Sequence, residues 1–565
     1  MSLTLLALGF LVVLALAYRL YGGWIARQFA LDDSRTTPAN EVNDGVDFVP
    51  TRPFYLFGQH FSAIAAAGPI AGPILACQAF GWLPCLLWIG FGVVLIGAVH
   101  DFTSLAASVR HGARSVAEIA REHLGSRAGM AMMAFIWIAL VYVIVAFADI
   151  TAGTFVGGTE ELAGARGFNA GGAVAAASVM YLVLSILLGL VERYLKPPLW
   201  LSTAVFVPAA FALSWLGTKV STALLLDHKT WGLLILIYCC VASVAPVWAL
   251  LQPRGYLGGF ILYAALALGV YGVLAGGLSG QFTIQQPAFK SWDVGGLTGT
   301  LFPFLFVTIA CGACSGFHGM VCSGTTSKQI DRESHIKPVG YGAMLAEGFV
   351  ALIALVTIMI VAPAAIAKGT APGTIYGNGI GQFLTLIIGR EHLAFATTFG
   401  AMAFSTFVFD TLDVCTRLGR YIVQELLGWR GRWGALTGTL LTVALPFYFI
   451  TFAREGMWAD FWTLFGASNQ LLAALTLLAV TVWLHQSRRR IGYTLAPMIF
   501  VLTITLWALT KLAVGNFRAS AGFDVKFVNG VSSAALVALA LYLAVAAVLK
   551  LRRERGSGSL VPESA

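Results

Sequence analysis

The chain has 565 residues, of which 58% are hydrophobic and 11% charged, and its mean hydropathy is +0.82. A soluble domain carries roughly 25% charged residues, so a chain this poor in charge excludes a water-soluble globular protein and points to lipid as the solvent. The formal net charge of +9 does not indicate a nucleic-acid partner, because Lys and Arg collect in short segments between apolar runs, as the positive-inside rule requires.

Apolar runs of about 20 residues, enough to cross roughly 30 Å of hydrocarbon as a helix, recur along the whole chain. They fall near 3–26, 58–80, 83–108, 128–156, 170–192, 198–216, 231–252, 256–278, 298–326, 338–364, 391–416, 434–453, 460–484, 492–513 and 531–550. Helices are the only open elements that satisfy every backbone group inside a bilayer, and the period-two alternation of barrel strands does not occur. The expected fold class is therefore all-α integral membrane, with about 15 transmembrane helices.

In chain order, no basic residue precedes the first span, while Arg19 and Arg27 follow it. That order suits a retained span with its N-terminus outside, despite the cleavage-like Ala15-Leu16-Ala17. Residues 27–57, with Asp32, Asp33, Glu41, Asp44 and Asp47 among Pro38, Pro50 and Pro53, read as an inner loop. The second span contains Gly58-Gln59-His60-Phe61-Ser62 and two Gly-Pro steps, Gly68-Pro69 and Gly72-Pro73. Each proline removes an amide donor and disfavours helix just before it. Ser115-Val116-Ala117-Glu118 forms a capping box opening a short amphipathic helix that ends at Gly125. That helix is expected on the inner surface, more readily as the rim of the bundle than as a gate.

The other inner loops carry Arg110/Arg114/Arg121, Arg193/Lys196, Arg254, Lys328/Arg332/Lys337, Arg417/Arg420/Arg430/Arg432, Arg488/Arg489/Arg490 and Arg552/Arg553/Arg555. Segment 376–389 is short and broken by glycine, so it reads as a re-entrant or surface piece. Residues 1–555 form one polytopic domain, with an inverted-repeat core over about 55–490 and extra spans over about 491–552. Gly556-Ser557-Gly558-Ser559 opens a linker-like tail at 556–565. Nearly all eight cysteines lie inside apolar runs, where a disulfide framework is not expected.

Transporters often build their site from discontinuous helices near the bilayer midplane, one in each inverted half. The pair here is 58–73 and 311–328, the second being rich in Gly, Ser and Thr. Both contain Phe-x6-Gly, as Phe61/Gly68 and Phe317/Gly324, with a His beside each Phe. Being seven spans apart, the two run in opposite directions. Substrate contacts are expected from freed backbone and side chains at Gly68, Pro69, Gly72, Cys311, Gly312, Ser315, Gly316, Ser323, Gly324, Thr325 and Thr326. Asn469-Gln470, polar in an apolar span, should line the cavity or bridge helices.

Ionisable groups inside spans default to functional candidates. They are His60, His100/Asp101, Asp149, His318, Glu347 and Asp410/Asp413. His60, His318 and Asp410 are the proton-coupling candidates, joined by Asp101 and Thr411. Asp413 and Arg417 share a helix face at i,i+4, which fits an ion pair as well as a coupling role, whereas Asp410 has no such partner. Lys328 marks the inner mouth or serves as a positive-inside anchor. Cys311, Cys314, His318 and Cys322 lie on one helical stripe, but they spread over about 16 Å. A zinc site needs its ligands within roughly 2.3 Å of the ion, so these residues read as packing residues and no metal site is expected.

At these segments the chain resembles the carbon starvation protein A (CstA) family. The marks are 58–73, Gly97-Ala98-Val99-His100-Asp101-Phe102, 246–257, 311–328, 340–347, Asp413-Val414-Cys415-Thr416-Arg417-Leu418-Gly419-Arg420 and 464–473, so the likeness spans most of residues 1–490. It implies uptake of short peptides or pyruvate across the cytoplasmic membrane under carbon starvation, driven by a proton or sodium ion. It also implies a LeuT-like inverted-repeat core of the amino acid–polyamine–organocation type. The expected protein is thus a secondary transporter rather than an enzyme, with no cofactor beyond the coupling ion. Its partners are a small-molecule substrate and the bilayer, with a homo-oligomer left open. The rivals are a channel, which needs a continuous polar stripe, and an intramembrane enzyme using Cys314 or His318.

Overall fold

The computed structural model describes residues 2–557 except 46, 66, 158, 163–164, 368, 430 and 453–457, so the tail expected at 556–565 lies outside the described residues from 558 onward. The chain opens with α1 (Leu3–Arg19), α2 (Tyr21–Phe29), α3 (Pro38–Val42), α4 (Pro53–Ile64) and α5 (Gly68–Phe80). Next come α6 (Trp82–Gly92), α7 (Ala98–Arg110), α8 (Val116–Leu124) and α9 (Ser126–Phe155). A small antiparallel hairpin, β1 (Thr159–Leu162) and β2 (Ala165–Asn169), leads to α10 (Ala170–Tyr194), α11 (Leu199–Lys219), α12 (His228–Val244) and α13 (Leu251–Tyr271). Then follow α14 (Leu301–Thr308), α15 (Gly316–Gly324), α16 (Ala343–Met359), α17 (Pro372–Ile388) and α18 (Leu393–Leu427). The chain closes with α19 (Gly431–Phe452), α20 (Trp458–Gln486), α21 (Gly492–Ala519) and α22 (Val525–Ser557).

Among the described residues, 12 helices are long and apolar enough to cross a membrane, or up to 13 if the bent pair α4–α5 counts as one span. The protein is a multi-pass, all-helical membrane protein with fewer full-length helices than the hydropathy suggests. With the bent pair α4–α5 counted as one span, two expected spans account for the difference. The run 231–252 loses its helix at Val244, ahead of Pro246, so α12 has 17 residues. The run 298–326 is split into α14 and α15.

Segment 376–389 is not broken by its glycines, which is a correction: through Ile388 it lies in the continuous helix α17, which at 17 residues is not among the full-length spans, and its glycines bring two backbones together. A Cβ added at Gly377 would lie 2.6 Å from Ala401 Cβ, and one at Gly381 would lie 2.8 Å from Thr397 Cγ2, both on α18. Small residues serve helix packing in this way where no hydrophobic force acts between helices.

Helix α20 is buried throughout its apolar stretch and packs against α9, α14, α15, α21 and α8. At one end of the bundle basic residues gather. Arg110 makes a two-pronged contact with Glu333, Nε to Oε1 at 2.9 Å and Nη2 to Oε2 at 2.8 Å, and donates to Phe29 O. Arg489 also donates to Phe29 O. The capping box closes α8 as its sequence predicts: Glu118 N donates to Ser115 Oγ, and Ser115 N donates to Glu118 Oε2.

Candidate functional site

Both expected breaks are present. The first lies between α4 and α5, bent by 45°; the second runs from Ile309 to Ser315 between α14 and α15. They touch each other directly instead of facing across a chamber. A Cβ on Gly68 would lie 2.6 Å from Cys311 Cβ, and one on Gly72 would lie 2.6 Å from Thr308 O. Gly312 packs on Pro69 and Gly316 on the backbone of α20 at Asn469. Only glycine admits contacts this close. The shared Phe-x6-Gly is not positionally equivalent: Gly68 starts the half-helix after its break, whereas Gly324 ends one, so Phe61 precedes its break and Phe317 follows its own. The Cys311–Cys322 stripe dissolves as well, because the chain unwinds through Cys311 and Cys314; all eight cysteines are free thiols.

The carbonyls freed at the end of α14 are already taken by side chains. Gln470 Nε2 donates to Phe306 O at 3.3 Å, Trp462 Nε1 to Thr308 O at 3.1 Å and Trp88 Nε1 to Ile309 O at 3.1 Å. Asn469 accepts from Phe317 N at 2.9 Å and donates to Ser315 Oγ at 3.0 Å and Cys311 Sγ at 3.2 Å. Asn469 and Gln470 therefore bridge helices by holding the second break's backbone, the second of the two roles expected of them.

Beside this break lies a fully buried cluster. His318 Nδ1 meets Asp101 Oδ2 at 2.8 Å, and His318 Nε2 lies 3.2 Å from Glu347 Oε2. His100 Nδ1 meets the other Asp101 oxygen at 2.7 Å. Both nitrogens of His318 thus face carboxylate oxygens, and a lone pair on either would be repelled. A proton must stand at each contact, carried by the imidazole or by the carboxyl group. Beyond its contact with His318, neither oxygen of Glu347 has a hydrogen-bond partner among the described residues. A buried carboxyl group in that state is stable only when neutral or closely paired. His60 Nδ1 pairs with Thr326 Oγ1 at 2.8 Å, and its Nε2 lies 3.9 Å from Cys322 Sγ, which brings the first broken span to the same cluster.

A second buried network surrounds Arg254, which is a correction: Arg254 lies in the first turns of α13, 1% exposed, and not in an inner loop. It contacts Asp410 Oδ1 and Asp413 Oδ2, each at 2.8 Å, and also Tyr238 Oη. Asp410 therefore has an opposite charge from another helix. Asp413 pairs with Arg254 and Tyr238, while Arg417 donates to Ala242 O and Ala245 O; the i,i+4 pair does not form. A cavity of about 190 Å³ opens here, lined by Phe155, Tyr181, Trp231, Tyr238, Arg254 and Phe409. Trp231 Nε1 and Thr406 Oγ1 at its wall have no hydrogen-bond partner among the described residues.

The remaining candidates are spread out. Thr411 bonds back to Phe407 O within its own helix, and Thr325 does the same to Val321 O. Ser323 bonds to Gly319 O and accepts from Val116 N of α8. Lys328 lies 4.0 Å from Asp47 and over the Phe48 ring, beside the loop that follows α3. Arg254 and Tyr238 were not singled out by sequence as site residues, whereas His100 was a candidate together with Asp101.

Residues 1–375 and 360–508 match the family described as Carbon starvation protein CstA. The chain belongs to this family. It is 33% identical to the peptide transporter CstA of Bacillus subtilis (strain 168), over 97% of each chain. It is 32% identical to the pyruvate/proton symporter BtsT of Escherichia coli (strain K12), over 92% of this chain and 84% of that one. Family and relatives are transporters, not enzymes. Among solved structures, the Eremococcus coleocola manganese transporter matches 88% of this chain at 15% identity, with a TM-score of 0.44, a likeness too weak to establish a common fold.

Proposed function

We propose that this CstA-family protein is a secondary transporter importing a small carboxylate-bearing nutrient, pyruvate or a short peptide, together with a proton. The observation that carries the coupling is His318 held between Asp101 and Glu347, buried beside two broken spans. With His318 cationic and both acids ionised, the trio holds one net negative charge; one further proton neutralises it. A cluster that must gain a proton to become neutral in the bilayer interior is suited to binding one from one side and releasing it to the other. His60, through Thr326 and Cys322, ties α4 to that event.

The glycines and prolines of the two breaks, with Cys311, Ser315, Ser323 and Thr326, are assigned to substrate contact once the packed breaks separate. Asn469 and Gln470 would then hand the freed backbone groups over. The paired breaks support a LeuT-like inverted-repeat core. Because Asp410 is ion-paired with Arg254, which lines the cavity, we assign it to the substrate side rather than to coupling. A carboxylate displacing Asp410 from Arg254 would meet the free donors of Trp231 and Thr406, which supports a substrate with that group. The basic end, with Arg110, Lys328 and Arg489, is assigned to the cytoplasmic face of the inner membrane, which puts the N-terminus outside.

The test is uptake into proteoliposomes of labelled pyruvate and of a labelled dipeptide, under imposed proton or sodium gradients. Accumulation driven by the proton gradient supports the reading. Uptake that ignores both gradients overturns it in favour of a channel.

A further inference from the structure

At the basic end, outside the membrane-spanning core, two imidazoles meet in an unusual way. His111, just past α7, and His123, near the end of α8, bring their Nε2 atoms to 2.8 Å, with the rings nearly perpendicular. The other nitrogen of each ring is committed. His111 Nδ1 donates to Ala107 O at 2.6 Å, and His123 Nδ1 faces Gln486 Oε1 at 2.6 Å. A carbonyl and an amide oxygen only accept, so both Nδ1 atoms carry the ring proton. In neutral rings both Nε2 atoms then present lone pairs to each other, an arrangement that repels unless a proton or a metal ion stands between them.

We propose that His111, Glu122 and His123 form a binding site for a divalent transition-metal ion of the zinc class. Their ligand atoms all lie within 4.8 Å of one another, and two imidazoles with one carboxylate suit such ions. The supporting bonds are those metal sites use: each ligating His donates its second N–H to an oxygen acceptor, which fixes tautomer and orientation. Trp483 packs edge-on against His111 at 5.1 Å and holds that ring. Glu122 is exposed, paired through Oε2 with Arg114, so an ion can enter from solvent and meet the other oxygen. Nitrogens 2.8 Å apart subtend just under about 90° at an ion roughly 2.0–2.1 Å from each. That angle fits five- or six-coordinate geometry directly. A tetrahedral ion needs the rings to part by about half an ångström.

The ion would fasten α8 to the end of α7 and, through Gln486, to the end of α20. Because Val116 N on α8 donates to Ser323 Oγ on α15, the same clamp steadies the foot of the second broken span. The proposal is independent of the transported substrate.

The test uses the full chain in detergent, purified without a histidine tag, equilibrated with Zn²⁺ and desalted before metal analysis. One zinc per chain is expected. The double variant His111→Ala/His123→Ala should lose it, and Glu122→Gln should bind at least about tenfold more weakly. Gln486→Leu, which removes the acceptor behind His123, should weaken binding about 10–100-fold. No zinc on the native protein, or equal retention by the double variant, overturns the site. Should the double variant fail to fold, Co²⁺ on the native protein decides. Visible d–d bands without thiolate charge-transfer absorption support these ligands; thiolate bands, or no bands, refute them.

Discussion

Replacing Glu347 by Gln keeps the side chain's shape and removes its ability to gain or lose a proton. His318 would still meet Asp101 at 2.8 Å, leaving a neutral imidazolium–carboxylate pair that has no need of a further proton. One pH unit across a membrane is worth about 1.4 kcal/mol per proton, so a one-proton symporter concentrates substrate about tenfold per unit. The assay is uptake into proteoliposomes whose interior is one unit more alkaline than the medium, with the membrane potential clamped at zero. The native protein should reach about tenfold accumulation. Glu347→Gln should stop near equal concentrations while still exchanging labelled for unlabelled substrate. Its folding stability should be unchanged or higher, because an unsatisfied buried acid has been removed. His318→Leu, by contrast, leaves buried Glu347 without its partner and Asp101 with His100 alone, and should cost about 3–5 kcal/mol. Tenfold accumulation by Glu347→Gln would refute the coupling assignment.

Four further changes probe the rest. Gly72→Val drives a side chain onto Thr308 O, 2.6 Å from the added Cβ, and should lose about 1–3 kcal/mol in thermal unfolding, together with transport. Asn469→Leu strands Phe317 N and should lower stability by about 1–3 kcal/mol, with uptake falling in parallel. Arg254→Met leaves Asp410 and Asp413 unpaired, at about 3–5 kcal/mol; adding Asp410→Asn and Asp413→Asn should restore folding but not uptake. Asp410→Asn alone should raise KM in uptake assays while sparing proton-driven accumulation.

Much of the architecture could be read along the chain because its causes are local. Gly68-Pro69 marks the start of α5 just past the first break, whereas Gly72-Pro73 sits inside that helix without ending it, and Ser115 with Glu118 forms a cap within one turn. Asn469-Gln470 announced themselves as polar groups with no local partner. The errors share another cause. Arg254 follows Pro253 and precedes Gly255, which suggests a loop, yet proline is tolerated in a helix's first turn, and α13 begins at Leu251. Its partners Asp410 and Asp413 lie more than 150 residues away, so their pairing leaves no local trace. The glycines of α17 were ambiguous for the same reason: a glycine that breaks a helix and one that admits a neighbouring backbone look alike until the neighbour is known. Asp413 and Arg417 share a helix face, but stronger partners on α12 and α13 draw both away.

The most direct measurement is substrate-evoked proton movement, read from a pH-sensitive dye trapped inside proteoliposomes with no imposed gradient. Adding pyruvate or a dipeptide outside should acidify the interior by one proton per substrate taken up, and Glu347→Gln should abolish the signal without abolishing exchange. Substrate entry with no acidification, or entry that depends on sodium alone, would contradict the account.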